Sequence, residues 1–143
     1  MIYLDSSYLV RLYYKDAGYQ SVRDLAAKDA VACAQHGQAE VMAALHRKVR
    51  EGSLRSNLYR IVLQEFAKEI RAGAFNWLPL SPAIFDRLHV VFAGLPPIIF
   101  LRAADAMHLS AAAENGLREI YSNDENLLAA APHFGLRGVN VIS

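Results

Sequence analysis

The sequence predicts an α/β fold, a mainly parallel sheet covered on both faces by helices, and three observations carry that prediction. Short apolar runs such as Ile2-Tyr3-Leu4 and Ala30–Ala34 alternate with longer segments whose apolar residues recur at helical spacing. The runs are continuous, as strands buried on both faces require. At several places an acid stands where an apolar run gives way to a helix. In such sheets ligands sit beyond the carboxyl ends of the strands, where the strand order reverses.

Taken in order, Ile2-Tyr3-Leu4 suits a buried central strand that ends at Asp5, and Ser6 or Ser7 is placed to cap the next helix. Leu9, Leu12 and Tyr13 share one face of that helix, and Asp16-Ala17-Gly18 breaks it. Tyr19 to Lys28 reads as a second helix with Val22, Leu25 and Ala26 inward, and Ala30–Ala34 as a second strand. After the turn Gln35-His36-Gly37, a long helix opens at Gln38 or Ala39. It carries Glu40 in its first turn, an apolar stripe of Val41, Ala44, Leu45 and Val49, and a stop at Gly52. Ser53 to Arg71 repeats helical spacing through Leu58, Ile61, Val62, Leu63, Phe66 and Ile70. Phe75 to Leu80 is a third strand limited by Pro79. Ser81-Pro82 then starts a helix from which Ile84, Leu88, Val91 and Phe92 are expected to pack. Past the Gly94–Pro97 loop, Ile98–Leu101 fits either strand or loop before the helix that contains Asp105. Glu119–Ser122 reads as a brief strand handing over to a helix at Asp124. Val139–Ile142 closes the chain as a last strand.

The 143 residues make one domain, 1–143, and 54% of them are hydrophobic, enough for a full core. Cys33 is the single cysteine, so no internal disulfide or cysteine-rich zinc site forms, which fits a reducing cytoplasm. Met1 to Asp5 lacks the basic and apolar blocks of a secretory leader, and Val90 to Leu101 is too short and too broken to span a bilayer. The net charge of +1 does not by itself announce a nucleic-acid binder.

Asp5, Glu40, Asp105 and Asp124 each stand at the junction of an apolar run and a helix. Any one of them is accounted for as a cap, since an acid at a helix start contributes ~0.3–1 kcal/mol. Together they imply more, because parallel strands would bring all four junctions to one edge of the sheet. Asp105 lies among Ala103, Ala104, Ala106 and Met107, a poor setting for a merely solvated charge. Converged carboxylates raise one another's pKa, and a hard divalent cation resolves the conflict. An all-oxygen site suits Mg2+ or Mn2+, which usually also meets a substrate phosphate. The implied chemistry is water attack on a phosphodiester. Setting the four acids aside leaves ten against fifteen cations, an excess of five that would attract a polyanion.

Four blocks, MIYLDSSYLV, AEVMAALHR, RAADAMHLSAA and YSNDENLLAAA, resemble the signature blocks of PIN-domain nucleases. Spread over almost the whole chain, they are most similar to the short VapC-type toxins of toxin–antitoxin pairs. The resemblance implies a three-layer α/β/α fold and a Mg2+- or Mn2+-dependent endoribonuclease acting on structured RNA such as tRNA or rRNA. It also implies inhibition by a small VapB-like antitoxin and a homodimer. By position it makes Asp5, Glu40, Asp105 and Asp124 the catalytic acids and metal ligands. Asp124 would bind a second metal or hold a water, and Ser122 and, more weakly, Ser6 would position water. Arg102 would meet phosphate or pair with a nearby acid.

His108, one turn after Asp105, is expected to pack on its neighbours, with a supporting role at the site as the sharper option. His36 precedes Glu40 across a glycine turn and could face the crevice, with a place outside it as the plainer option. A receiver domain would need an early acidic pair and a late lysine, yet no lysine follows Lys68. A dehalogenase-like phosphatase would need an aspartate where Ser7 stands. A catalytically idle PIN-like RNA- or protein-binding module is the rival reading that survives.

Overall fold

The computed structural model describes residues 1–142. Five short strands form its centre: β1 (Ile2–Tyr3), β2 (Val31–Ala34), β3 (Phe75–Leu78), β4 (Glu119–Tyr121) and β5 (Arg137–Val139). Every pairing is parallel. β1 registers Ile2 against Val31, β2 registers Val31 against Phe75, and β4 registers Glu119 against Arg137. A parallel bridge between Leu4 and Tyr121, with the Asp5 amide donating to the Tyr121 carbonyl at 3.1 Å, joins β1 to β4. The order is therefore β3-β2-β1-β4-β5, and it reverses between β1 and β4. That gap is the switch point where such folds open a crevice.

Among the described residues seven α-helices surround the sheet: α1 (Ser6–Val10), α2 (Tyr19–Ala26), α3 (Gly37–Arg50), α4 (Ser56–Arg71), α5 (Pro82–Gly94), α6 (Ala103–Glu114) and α7 (Glu125–Ala130). The helices cover both faces, a three-layer α/β/α arrangement. The core joins Tyr3 and Leu4 of the first strand to Ala32, Cys33 and Ala34 of the second. α6 packs against β2, and its buried Ala106, Ala111 and Ala112 are small enough to let the helix lie close, with Leu109 buried beside them. Each fully buried leucine contributes ~1.5–3 kcal/mol. α3 starts tight against β2, because a Cβ at Gly37 would lie 2.4 Å from the Cys33 sulfur. That contact fixes where the first turn of α3, and Glu40 with it, must sit.

Several boundaries differ from expectation. Ile98–Leu101 forms no strand; Pro96 and Pro97 lack amide donors, and Ile98 is 90% exposed. Asp105 therefore follows a loop and not a strand. The last strand is Arg137–Val139 and not Val139–Ile142, because its partner β4 sets the register. α1 stops at Val10, and Leu12 and Tyr13 reach the core from the turn beyond it. Its cap is Asp5, not Ser6 or Ser7. Tyr8 is buried in the core, so the first helix offers no free aromatic face. α3 opens at Gly37, and α4 opens at Ser56 rather than Ser53. Phe92 was expected to pack, yet it is exposed. Among the described residues no helix is long and apolar enough to cross a membrane.

Candidate active site

One cavity of about 260 Å³ is lined by all four acids, Asp5, Glu40, Asp105 and Asp124, together with Ser6, Ser7 and Arg102. Asp5 ends the chain's passage through β1 and caps α1. Its Oδ1 accepts the Tyr8 amide at 3.0 Å and the Ser7 hydroxyl at 2.7 Å, while Oδ2 accepts the Ser122 hydroxyl at 2.5 Å. A carboxylate offers about four lone pairs, so one stays open to the cavity. Burial pushes the Asp5 carboxyl up, against the pull of its hydrogen bonds to Ser122 and Ser7.

Asp124 has the same double duty across the switch point. Its Oδ1 caps α7, accepting the amides of Asn126 and Leu127 at 2.9 and 3.2 Å. Its Oδ2 faces the cavity and takes the Arg102 guanidinium at 3.0 Å. Ser122 ties the two acids together: fully buried, it donates to Asp5 and accepts the Asp124 amide at 2.9 Å. The cap thus uses one oxygen of the Asp124 carboxylate and leaves the other facing the cavity.

Asp105 stands in the first turn of α6. Burial raises its carboxyl, Arg102 opposes that rise, and the neighbouring Asp124 adds to it. Arg102 reaches both acids, with its Nε 3.2 Å from Asp105. Glu40 comes in from α3. Burial works against its ionisation, but the hydrogen bond and charge of His108 hold its carboxyl below the usual range.

His108 sits at the bottom of the site, buried, with Nε2 2.5 Å from Glu40 and Nδ1 2.5 Å from the Tyr3 hydroxyl. Burial disfavours its charge; the Cys33 sulfur and the Glu40 carboxylate outweigh that and lift its pKa to about 10. His36 packs on it at a ring separation of 4.2 Å, and burial together with the His108 charge lowers the His36 pKa. The His36 Nε2 lies 2.9 Å from the Ala104 carbonyl and so carries the proton, leaving a buried Nδ1 without a partner. His36, Glu40 and His108 place their ligand atoms within 4.8 Å of one another. Both nitrogens of His108 are already engaged, however, and the carboxylate set beside them is the better match for a hard cation.

All of the acids named from sequence meet here, as do Ser6, Ser122 and Arg102. Sequence reasoning gave little weight to His36 and His108 at the site and did not single out Tyr3. The available signal was spacing: His36 lies one turn before Glu40 on α3, and His108 one turn after Asp105 on α6.

A parallel sheet that winds outward from its centre in both directions, with carboxylates gathered at the reversal, defines a doubly wound α/β protein with an acidic pocket at its switch point. The sequence matches the family model of the PIN domain over residues 2–132, and the chain belongs to the PIN-domain family. Nucleases of this family generally use a divalent metal, and the raised carboxyls of Asp5 and Asp105 fit a pocket short of positive charge. Three solved structures share the fold. VapBC2 from Rickettsia felis, bound to a promoter DNA fragment, matches with a TM-score of 0.69 at 17% identity, covering 98% of each chain. VapC20 from Mycobacterium tuberculosis, described as a sarcin–ricin loop cleaving toxin, gives 0.70 at 16% identity, covering 91% of this chain and 95% of the other. A toxin–antitoxin complex from Klebsiella pneumoniae gives 0.64 at 15% identity, covering 100% and 99%. No curated protein sequence matches this chain significantly.

Proposed function

We propose that the protein is a Mg2+- or Mn2+-dependent endoribonuclease, a VapC-type toxin that cleaves structured RNA. The observation that carries this reading is the single cavity lined by Asp5, Glu40, Asp105 and Asp124. Asp5, Glu40 and Asp105 would hold the metal first, and Asp124 would hold a second metal or a water. The bound ion supplies charge stabilisation at phosphorus and lowers the pKa of an attacking water. The chain's own residues do the positioning. Ser122 fixes Asp5 against Asp124, and His108 fixes Glu40. Ser6 lines the cavity beside Glu40 and is placed to hold a water. Ser122, buried and committed to two partners, positions water only through Asp5. Arg102 is exposed and held only by its ion pairs, so it is free to exchange a carboxylate for a substrate phosphate.

The solved toxin–antitoxin complexes support a small antitoxin as partner. Leu58 and Ile61 stand exposed on α4, a strip suited to an amphipathic helix. Phe85, Val90 and Phe92 stand exposed along α5 and support self-association as a homodimer.

The test is incubation of purified protein with total RNA, with and without manganese, followed by mapping of the cut ends. Attack by water leaves a 3′-hydroxyl and a 5′-phosphate. Cyclic phosphate ends, or cutting that survives a chelator, would overturn the reading.

A further inference from the structure

The acid cavity does not end at the acids. The same cavity is also lined by Arg11, Asp16, Arg47 and Lys48, and it shares lining with a second hollow of about 370 Å³ formed by Ser6, Glu40, Ala43, Ala44, Arg47 and Arg50. Ser6, Glu40, Ala44 and Arg47 line both, so the two spaces are continuous along one face of α3. Residues 40, 43, 44, 47 and 50 fall on that face by helical spacing. From Glu40 to Arg50 the helix advances about 15 Å. Alanines in the middle leave the floor low, and arginines stand at the far end.

These cations are not equally free. Arg11 donates to the carbonyls of Ala17 and Ser7 at 2.7 and 2.8 Å and is buried, so it belongs to the fold. Lys48 is held by Asp16 at 3.1 Å and lies over the Tyr14 ring. Arg47 meets only the exposed Glu51, at 3.6 Å, with the cation on the N-terminal side, the weaker orientation on a helix. Arg50 has no ion-pair partner among the described residues. Cations also suit a helix C-terminus, and that alone accounts for one of them. It does not account for one unpaired and one weakly paired arginine aligned with an acid cavity through a floor of alanines.

We infer that this face of α3 is the track for the RNA backbone on one side of the scissile phosphate, with Arg47 and Arg50 each binding one phosphate. The inference rests on the ribonuclease reading and makes the bound strand asymmetric: one side lies along α3, and the other leaves past Asp124.

The experiment measures binding of an RNA oligonucleotide by fluorescence anisotropy across a potassium chloride series, at fixed manganese, in an Asp105→Asn background that does not cut. Each phosphate contact on a single strand contributes ~0.7 to the slope of log affinity against log salt. Arg47→Ala and Arg50→Ala should each lower the slope by ~0.7, and the double variant by ~1.4. Arg60→Ala and Arg71→Ala, on α4, should leave it unchanged. If RNA binds and the slopes of the Arg47 and Arg50 variants equal that of the background, the track is wrong and the ribonuclease reading stands. If the background protein binds no RNA at any salt, both fall.

Discussion

The cavity has two halves that solve the same electrostatic problem differently. In the inner half, Asp5 and Glu40 are held by buried partners, Ser122 and His108. In the outer half, Asp105 and Asp124 share one guanidinium, Arg102, which is 61% exposed. The acids themselves differ less: the Glu40 and Asp124 side chains are 28% and 27% exposed. Burial of the partner is what separates them. A buried partner cannot leave without stranding a charge, whereas an exposed one trades its contact for water at little cost. The inner half is thus preset and the outer half exchangeable.

The largest effect should come from Asp105→Asn in the outer half. On the proposed function Asp105 is a metal ligand, and its removal is expected to lower cleavage about a thousandfold, or ~4 kcal/mol of barrier. The fold should not suffer. The Asp105 carboxyl is raised by burial and by Asp124, so its ionisation at neutral pH works against the metal-free fold. A carboxyl raised in this way favours folding at low pH and loses that contribution as pH rises through its folded pKa. Asparagine removes that loss, and the melting temperature without metal should hold or rise.

His108→Ala tests the inner half. Taking one member from a buried charged pair should cost about 3 kcal/mol at neutral pH, read from denaturant unfolding without metal. The pH profile gives the sign. His108 rises from 6.5 to about 10, so its contribution is full below 6.5 and fades as pH climbs through about 10. Glu40 is lowered from 4.5, so its share is present above 4.5 and is lost in acid. The gap between wild type and variant should therefore be widest between those two ordinary values and narrow toward alkaline pH. A gap independent of pH would mean that His108 acts through packing alone.

The sequence made the acids legible because their signal is local: an acid at a helix start leaves a mark whether it caps or lines a cavity, and Asp5 and Asp124 do both. Strand-like runs at Ile2–Leu4, Ala30–Ala34 and Glu119–Ser122 were legible too, since burial on both faces removes polar residues. Ile98–Leu101 was ambiguous because an exposed apolar loop has the composition of a strand; only the absence of a pairing partner decides. Leu58, Ile61 and Phe92 keep helical periodicity yet stand exposed, because periodicity marks a face without saying whether anything covers it. The Tyr3–His108–Glu40 chain joins residues 105 and 68 positions apart, a closeness that no local pattern encodes.

Ser122→Ala should have a smaller effect, ~1–2 kcal/mol, for it leaves Asp5 Oδ2 and the Asp124 amide without their buried partner. Since Ser122 spans the switch point, the variant should also weaken manganese binding in calorimetry. A stability loss with unchanged manganese affinity would show that Asp5 needs no fixing from β4.

The smallest stability effect, and the sharpest contrast, belongs to Arg102→Met. Methionine keeps most of the aliphatic stem and deletes the charge. An exposed pair is worth ~0–1 kcal/mol, so the metal-free melting temperature should barely move. The same number bounds the other direction. If Arg102 must release Asp105 and Asp124 before a metal takes them, the guanidinium and the metal compete, and each weakens the other by the same factor. Two exposed pairs worth up to ~1 kcal/mol each then mask the metal by at most about thirtyfold, so manganese should bind Arg102→Met tighter by up to that factor. Added salt, which screens the exposed pair, should shrink the difference. Weaker manganese binding in the variant would show that Arg102 organises the outer acids instead of occupying them, and the distinction between a preset and an exchangeable half would collapse.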